Sequence, residues 1–144
     1  MSREPQWGTY TLLIECTESV KLEVGALGEY EFEPGAYAYT GSALGSGGFA
    51  RVERHHRTAS GENDTLHWHI DYLLADDRVS IHDVVTASGY AIECEVATEL
   101  TGDGTPKFGV SDCSCASHLH YMEEMDELEG DVWTAYVAVM NESN

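Results

Sequence analysis

The stretch GTYTLLIEC, residues 8–16, decides the fold class. It is rich in Thr, Tyr, Leu and Ile, which predicts a buried strand. Its counterpart is AYAYTG, residues 36–41, also extended. There Tyr37 and Tyr39 alternate, so both rings share one face of a strand. Two short extended pieces, 21–24 and 30–33, lie between them, with a turn at 25–28 and Pro34–Gly35 closing the second. The chain therefore opens as a meander of strands.

Beyond residue 41 the texture changes. GSALGSGG, residues 41–48, is a glycine loop that can bring backbone amides close to a ligand. Residues 49–57 predict a helix with Phe49, Val52 and His56 near one face. HWHIDYLL, 67–74, predicts a helix or a short strand entering one. Residues 79–87 predict a strand, and 91–100 a helix with Ile92, Val96 and Leu100 spaced by four. Residues 123–130 read as an acidic turn or short helix, and DVWTAYVAVM, 131–140, as a closing strand. The run 108–121 follows no single period. The sequence holds no repeat, linker or low-complexity segment, and the order of elements predicts one α+β domain over 1–144.

Composition supports a folded core. The chain has 144 residues, 42% of them hydrophobic, enough to bury roughly two-thirds of the unfolded surface. No apolar run reaches the ~18 residues of a membrane span. The first residues carry no apolar segment ending in small residues, so a cytoplasmic protein is expected. Four cysteines (Cys16, Cys94, Cys113, Cys115) are too few for a disulfide scaffold, and reduced thiols are expected. Seven Lys+Arg against 26 Asp+Glu give a net charge of −19. Acids spread along the whole chain match a protein adapted to a salt-rich, halophile-like cytoplasm. Most of such a surface repels phosphates.

One segment opposes that field. Arg51, Arg54 and Arg57 put three of the seven basic residues inside seven positions. Arg51, Arg54 and His55 share a helix face at i, i+3, i+4. A guanidinium fork suits phosphate oxygens, and salt bridging to the many acids is the alternative. Tyr10 and Tyr39 on neighbouring strands could position a water or hold a phosphate oxygen, or simply favour strands. His67, His69 and Asp71 have H-x-H-x-D spacing, open to a metal, to a polar role in a cleft, or to local hydrogen bonding. Cys113, Cys115, His118 and His120 form C-x-C-x₂-H-x-H within one stretch, tight for zinc and equally readable as cleft-lining or buried residues.

The pieces GTYTLL (8–13), PGAYAYTGSA (34–43), ARVERHHR (50–57), HWHIDYLL (67–74), ECE (93–95) and PKFGVSDCSCASHL (106–119) keep their order along almost the whole chain. The set resembles the GIY-YIG nuclease superfamily, and within it the DUF123 branch, sometimes attached to endonuclease III. The resemblance implies a small domain whose central, mainly antiparallel sheet carries both tyrosine motifs on adjacent strands and is flanked by helices. It implies phosphodiester hydrolysis on nucleic acid, a link to DNA repair, and Mg²⁺ or Mn²⁺ as cofactor; Zn²⁺ is not expected. Tyr10 and Tyr39 match the two nuclease tyrosines, and Arg51 the helix arginine, with His55 one turn later. Glu93, ahead of Glu95, matches the metal-binding glutamate. Arg54, Arg57 and Ser42 fall where phosphate is expected, with His67, His69, Asp71, Cys113, Cys115 and His118 as further cleft candidates. Gly109 stands where the nucleases commonly carry asparagine, so a catalytically inert binding module of the same fold is the alternative.

A net charge of −19 leaves self-repulsion unscreened in dilute buffer. The melting temperature should therefore rise from low to molar KCl. An unchanged value would contradict adaptation to salt.

Overall fold

A computed structural model describes residues 7–25, 28–43, 48–62, 69–104 and 118–142. Strand β1 (Gly8–Cys16) is its axis. On one side it pairs antiparallel with β4 (Gly35–Ala43), from Gly8↔Ala43 to Cys16↔Gly35. On the other it pairs antiparallel with β5 (Val79–Ser88), with one irregularity between Leu13 and Ile14. The short strands β6 (Asp103–Gly104) and β7 (Leu119–Met122) extend the sheet to the order β5-β1-β4-β7-β6. A separate hairpin joins β2 (Val20–Glu23) to β3 (Glu29–Phe32). The protein is thus α+β, with an antiparallel sheet flanked by helices.

Both faces of the sheet are covered, which explains why β1 reads as a continuous apolar run. On one face Tyr10, Leu12, Ile14, Tyr37, Tyr39 and Leu119 pack with Ile70, Leu73 and Leu74 of α2 (His69–Leu74). The β2–β3 hairpin and α1 (Ala50–Ser60) lie over the same cluster through Val20, Phe32, Val52 and Ala59. On the other face Leu13, Ala38, Val85 and Ala87 meet α3 (Glu93–Glu99) and α4 (Met125–Glu142). Each large side chain buried this way contributes about 1.5–3 kcal/mol relative to exposure.

The closing segment corrects the sequence reading. Residues 131–140 are the body of helix α4, not a strand. Trp133, Tyr136 and three valines carry strand propensity, but tertiary packing decides. Leu128, Val132, Ala135, Tyr136 and Val139 recur at helical spacing and are buried together against the sheet. Trp133 and Val137, on the far side of the helix, are exposed. The acidic piece before them is the first part of the same helix.

A buried polar junction pins α4 in place. The hydroxyl oxygen of Thr11 lies 3.0 Å from that of Thr40 and 2.8 Å from the Tyr136 hydroxyl. Three elements thus satisfy one another's buried hydroxyls, each of which would otherwise cost about 1–3 kcal/mol.

Candidate functional site

Strand pairing brings the two tyrosine motifs together. Tyr10 stands opposite Gly41 across β1 and β4, and Leu12 opposite Tyr39. Both rings lie in the cluster on one face of the sheet, as diagonal neighbours. Gly41 is glycine for a steric reason: a Cβ there would stand 2.5 Å from the Tyr10 hydroxyl. The glycine of the second motif therefore makes room for the tyrosine of the first.

Helix α1 brings His55 to this pair. Its Nε2 lies 2.7 Å from the Tyr10 hydroxyl. Its ring is tilted against Tyr10 at 5.5 Å and edge-on to Tyr39 at 6.1 Å between centroids. Tyr10 and His55 are each 1% exposed and Tyr39 9%, so the three rings form a sealed cluster. Burial raises the Tyr10 phenol well above its ordinary range, with the Tyr39 and Glu93 charges adding and Arg51 opposing. Burial raises Tyr39 as well, with Glu93 and Asp71 adding and Arg51 opposing. Burial also lowers His55 to about 4, Asp71 opposing, and Arg54, Arg51 and His56 adding. At neutral pH both partners are uncharged. We assign the Tyr10 O–H as donor to Nε2, with the ring proton on Nδ1.

Arg51 sits at the rim of the cluster, half-buried. Its Nη1 donates to the backbone carbonyl of Ser42 at 2.6 Å, while its charge reaches both phenols. Ser42 thus takes part through its backbone. Arg54 behaves differently: its Nη1 donates to both carboxylate oxygens of Asp71, at 3.2 and 3.3 Å. Asp71 is fully buried, so the pair ties α1 to α2 beneath the surface. The H-x-H-x-D motif divides accordingly. Asp71 joins the Arg54 pair, His69 is half-buried at the start of α2, and His67 lies outside the described residues. Arg57 is exposed at the far end of α1.

Glu93 opens α3 at the end of the sheet where β1 begins. The Ile92 N–H donates to Thr9 Oγ1 at 2.9 Å, and that hydroxyl donates to the Tyr90 carbonyl at 2.9 Å. These bonds hook the helix to β1. The Glu93 charge acts on Tyr10 and Tyr39, and also on Tyr136 of α4. Its Oε2 lies 3.4 Å from Nδ1 of His118. That contact is not an ion pair, because burial and the nearby His120 lower the His118 pKa and keep the ring neutral. The Thr40 N–H donates to the His118 carbonyl at 3.0 Å, tying this residue to β4. Glu93, Cys94 and His118 each offer a ligand atom within 4.8 Å of the others.

In the sequence Glu93 and His118 are separate candidates and Cys94 is not among them; its one signal there is its place beside Glu93. Reduced thiols are also what the sequence leads one to expect. Cys16 is free and buried, but Cys94 is disulfide-bonded. Spacing cannot reveal a bond between residues brought together by the fold. Cys113 and Cys115 lie outside the described residues, so the C-x-C-x₂-H-x-H motif can be followed only at His118 and His120, both buried. Two cavities among the described residues, of about 360 and 280 Å³, lie elsewhere and are lined with carboxylates such as Glu15, Glu123 and Glu127. Neither suits a phosphate.

The fold and the site define a small α+β domain with a tyrosine–histidine cluster bordered by Arg51 and by a group of one carboxylate, one disulfide-bonded cysteine and one imidazole. Residues 9–141 match the family model described as a domain of unknown function, DUF123, and the chain belongs to that family. No curated protein and no solved structure gives a significant match. No helix among the described residues is long and apolar enough to cross a membrane.

The folded His55 pKa of about 4 lies below the ordinary 6.5. Its neutral form is thus the one that folding favours. This contribution to stability is complete above about pH 6.5 and is lost as pH falls toward 4, a difference of roughly 3 kcal/mol. In molar KCl, His55→Gln should flatten the stability curve between pH 6.5 and 4 relative to wild type. A wild-type His55 ring that titrates near 6.5 by NMR would contradict the assignment.

Proposed function

We propose that this domain acts on nucleic-acid phosphodiesters, hydrolysing them with a divalent ion at Glu93. The observation that carries the reading is the 2.7 Å contact between the Tyr10 hydroxyl and His55 Nε2, beside Arg51 and within reach of the Glu93 charge. The motif resemblance to GIY-YIG nucleases agrees with it. Arg51 would exchange its Ser42 carbonyl for a phosphoryl oxygen, a charge-assisted bond that strengthens as negative charge develops. Tyr10 would take a proton from the attacking water while passing its own to Nε2 of His55, whose basicity, lowered to about 4 by burial, would recover once the cluster opens to water. Tyr39 packs both rings in place. Glu93 would hold the ion, whose chemistry is to offset charge on the phosphoryl and leaving oxygens. Proton transfer at Tyr10 requires the sealed cluster to open when substrate binds.

That burial favours a second reading. With Tyr10 and His55 each 1% exposed, the pair could serve as a structural pin beneath a nucleic-acid or nucleotide binding surface built on Arg51. Arg51→Ala should cost about 10²–10³ in cleavage rate. Glu93→Gln should be partly rescued by added Mn²⁺, and Arg51→Ala should not. The assay uses single-stranded, duplex and branched substrates in high salt, with chelator as control and binding measured alongside. Binding that needs Arg51, with no cleavage of any substrate, would select the binding module. Cleavage that survives in both variants would overturn the site.

A further inference from the structure

We propose that Glu93, Cys94 and His118 form a site for a borderline-soft divalent ion of the Zn²⁺ class, closed by the disulfide at Cys94 and opened by its reduction. This deepens the preceding reading by naming the ion at Glu93, and rests on that reading only in taking this carboxylate to face a metal.

The first observation is the donor set. One carboxylate oxygen, one sulfur and one imidazole nitrogen lie within 4.8 Å of one another. Donors around a tetrahedral Zn²⁺ stand roughly 3.3–3.8 Å apart at its usual bond lengths. Closing onto an ion therefore needs a movement of at most about 1.5 Å, within the reach of side-chain rotation. Sulfur and imidazole select Zn²⁺ or its chemical relatives over Mg²⁺, which requires an oxygen shell.

The second observation is independent of the first. His118 is 1% exposed, and among the described residues neither of its ring nitrogens has a hydrogen-bond partner. A buried imidazole left that way costs free energy at both nitrogens. Its Nδ1 faces the Glu93 carboxylate at 3.4 Å, and a bound ion would satisfy the ring directly. Bonds and packing tie the supports to the sheet. His118 is held to β4 through its carbonyl. Glu93 and Cys94 stand on a helix anchored to β1 through Ile92 and Thr9 and seated by Val96 and Leu100.

The disulfide sets the condition. As bonded, the Cys94 sulfur has no thiolate to offer. An external dithiol supplies two electrons and two protons: the S–S bond breaks, each sulfur leaves as a thiol, and the dithiol becomes a disulfide. On binding the ion, Cys94 releases its proton to solvent. The resemblance to nucleases led to Mg²⁺ or Mn²⁺ here; the side chains beside Glu93 argue for a softer ion in the reduced protein.

The test is Co²⁺ titration of the full chain, oxidised or reduced with a phosphine that is then removed without air, followed by displacement with Zn²⁺. No nucleic acid is present. Reduced wild type should bind Co²⁺ with a thiolate charge-transfer band in the near ultraviolet, lost on adding Zn²⁺. Oxidised protein and Cys94→Ser should show no band, and Glu93→Gln should weaken binding. If Cys94→Ser fails to fold, alkylation of Cys94 in reduced wild type, followed by mass spectrometry, gives the same answer: Zn²⁺ should protect it. No band in reduced wild type, a band unchanged in Cys94→Ser, or alkylation indifferent to Zn²⁺ would overturn the proposal. Mg²⁺-supported cleavage by a protein that binds no Co²⁺ would remove the ion assignment and leave the phosphodiesterase reading. Co²⁺ binding without any cleavage would do the reverse.

Discussion

The hydrogen bond between the Tyr10 hydroxyl and His55 Nε2 ties helix α1 to the axial strand of the sheet. Tyr10 belongs to the axial strand of the sheet, and His55 to the helix that follows the glycine loop. They are 45 residues apart and meet at 2.7 Å in a nearly dry environment. A polar pair so buried cannot lose one member cheaply. It fixes how α1 lies on the sheet, and so where Arg51 stands. Gly41 is the counterpart of this constraint, since any side chain there would strike the Tyr10 ring.

Much of this was legible in the sequence, and for local reasons. The strand over 8–16 and its partner around 36–41 are written in β-branched and aromatic residues bounded by glycine and proline. Helix α1 is written in its spacing, and the ordered motifs named Tyr10, Tyr39, Arg51, His55 and Glu93. What escaped was non-local. Residues 131–140 carry strand formers, and only packing against Leu13, Ala38 and Val85 makes them helical. Arg54 looked like a phosphate ligand until the fold brought Asp71 against it. Cys94 looked like an ordinary thiol until the fold set it between a carboxylate and an imidazole.

The two chemical groups at this end of the sheet answer to different physics. The Tyr10–Tyr39–His55 cluster is governed by desolvation, which holds all three rings neutral. The Glu93–Cys94–His118 group brings a carboxylate, a disulfide-bonded sulfur and an imidazole together, and among the described residues the buried His118 ring has no hydrogen-bond partner. Glu93 connects them, since its charge is felt by both phenols and its oxygen approaches His118. Around them lies a chain of net charge −19, which makes the local character of Arg51 matter more than it would in a neutral protein.

The central claim is that Tyr10 and His55 act as one coupled unit. A double-mutant cycle in molar KCl, with Tyr10→Phe, His55→Leu and the pair, measures this directly. The two changes should be strongly non-additive in unfolding free energy, with a coupling of about 1 kcal/mol or more. Additive effects, with the double variant losing the sum of the singles, would contradict it.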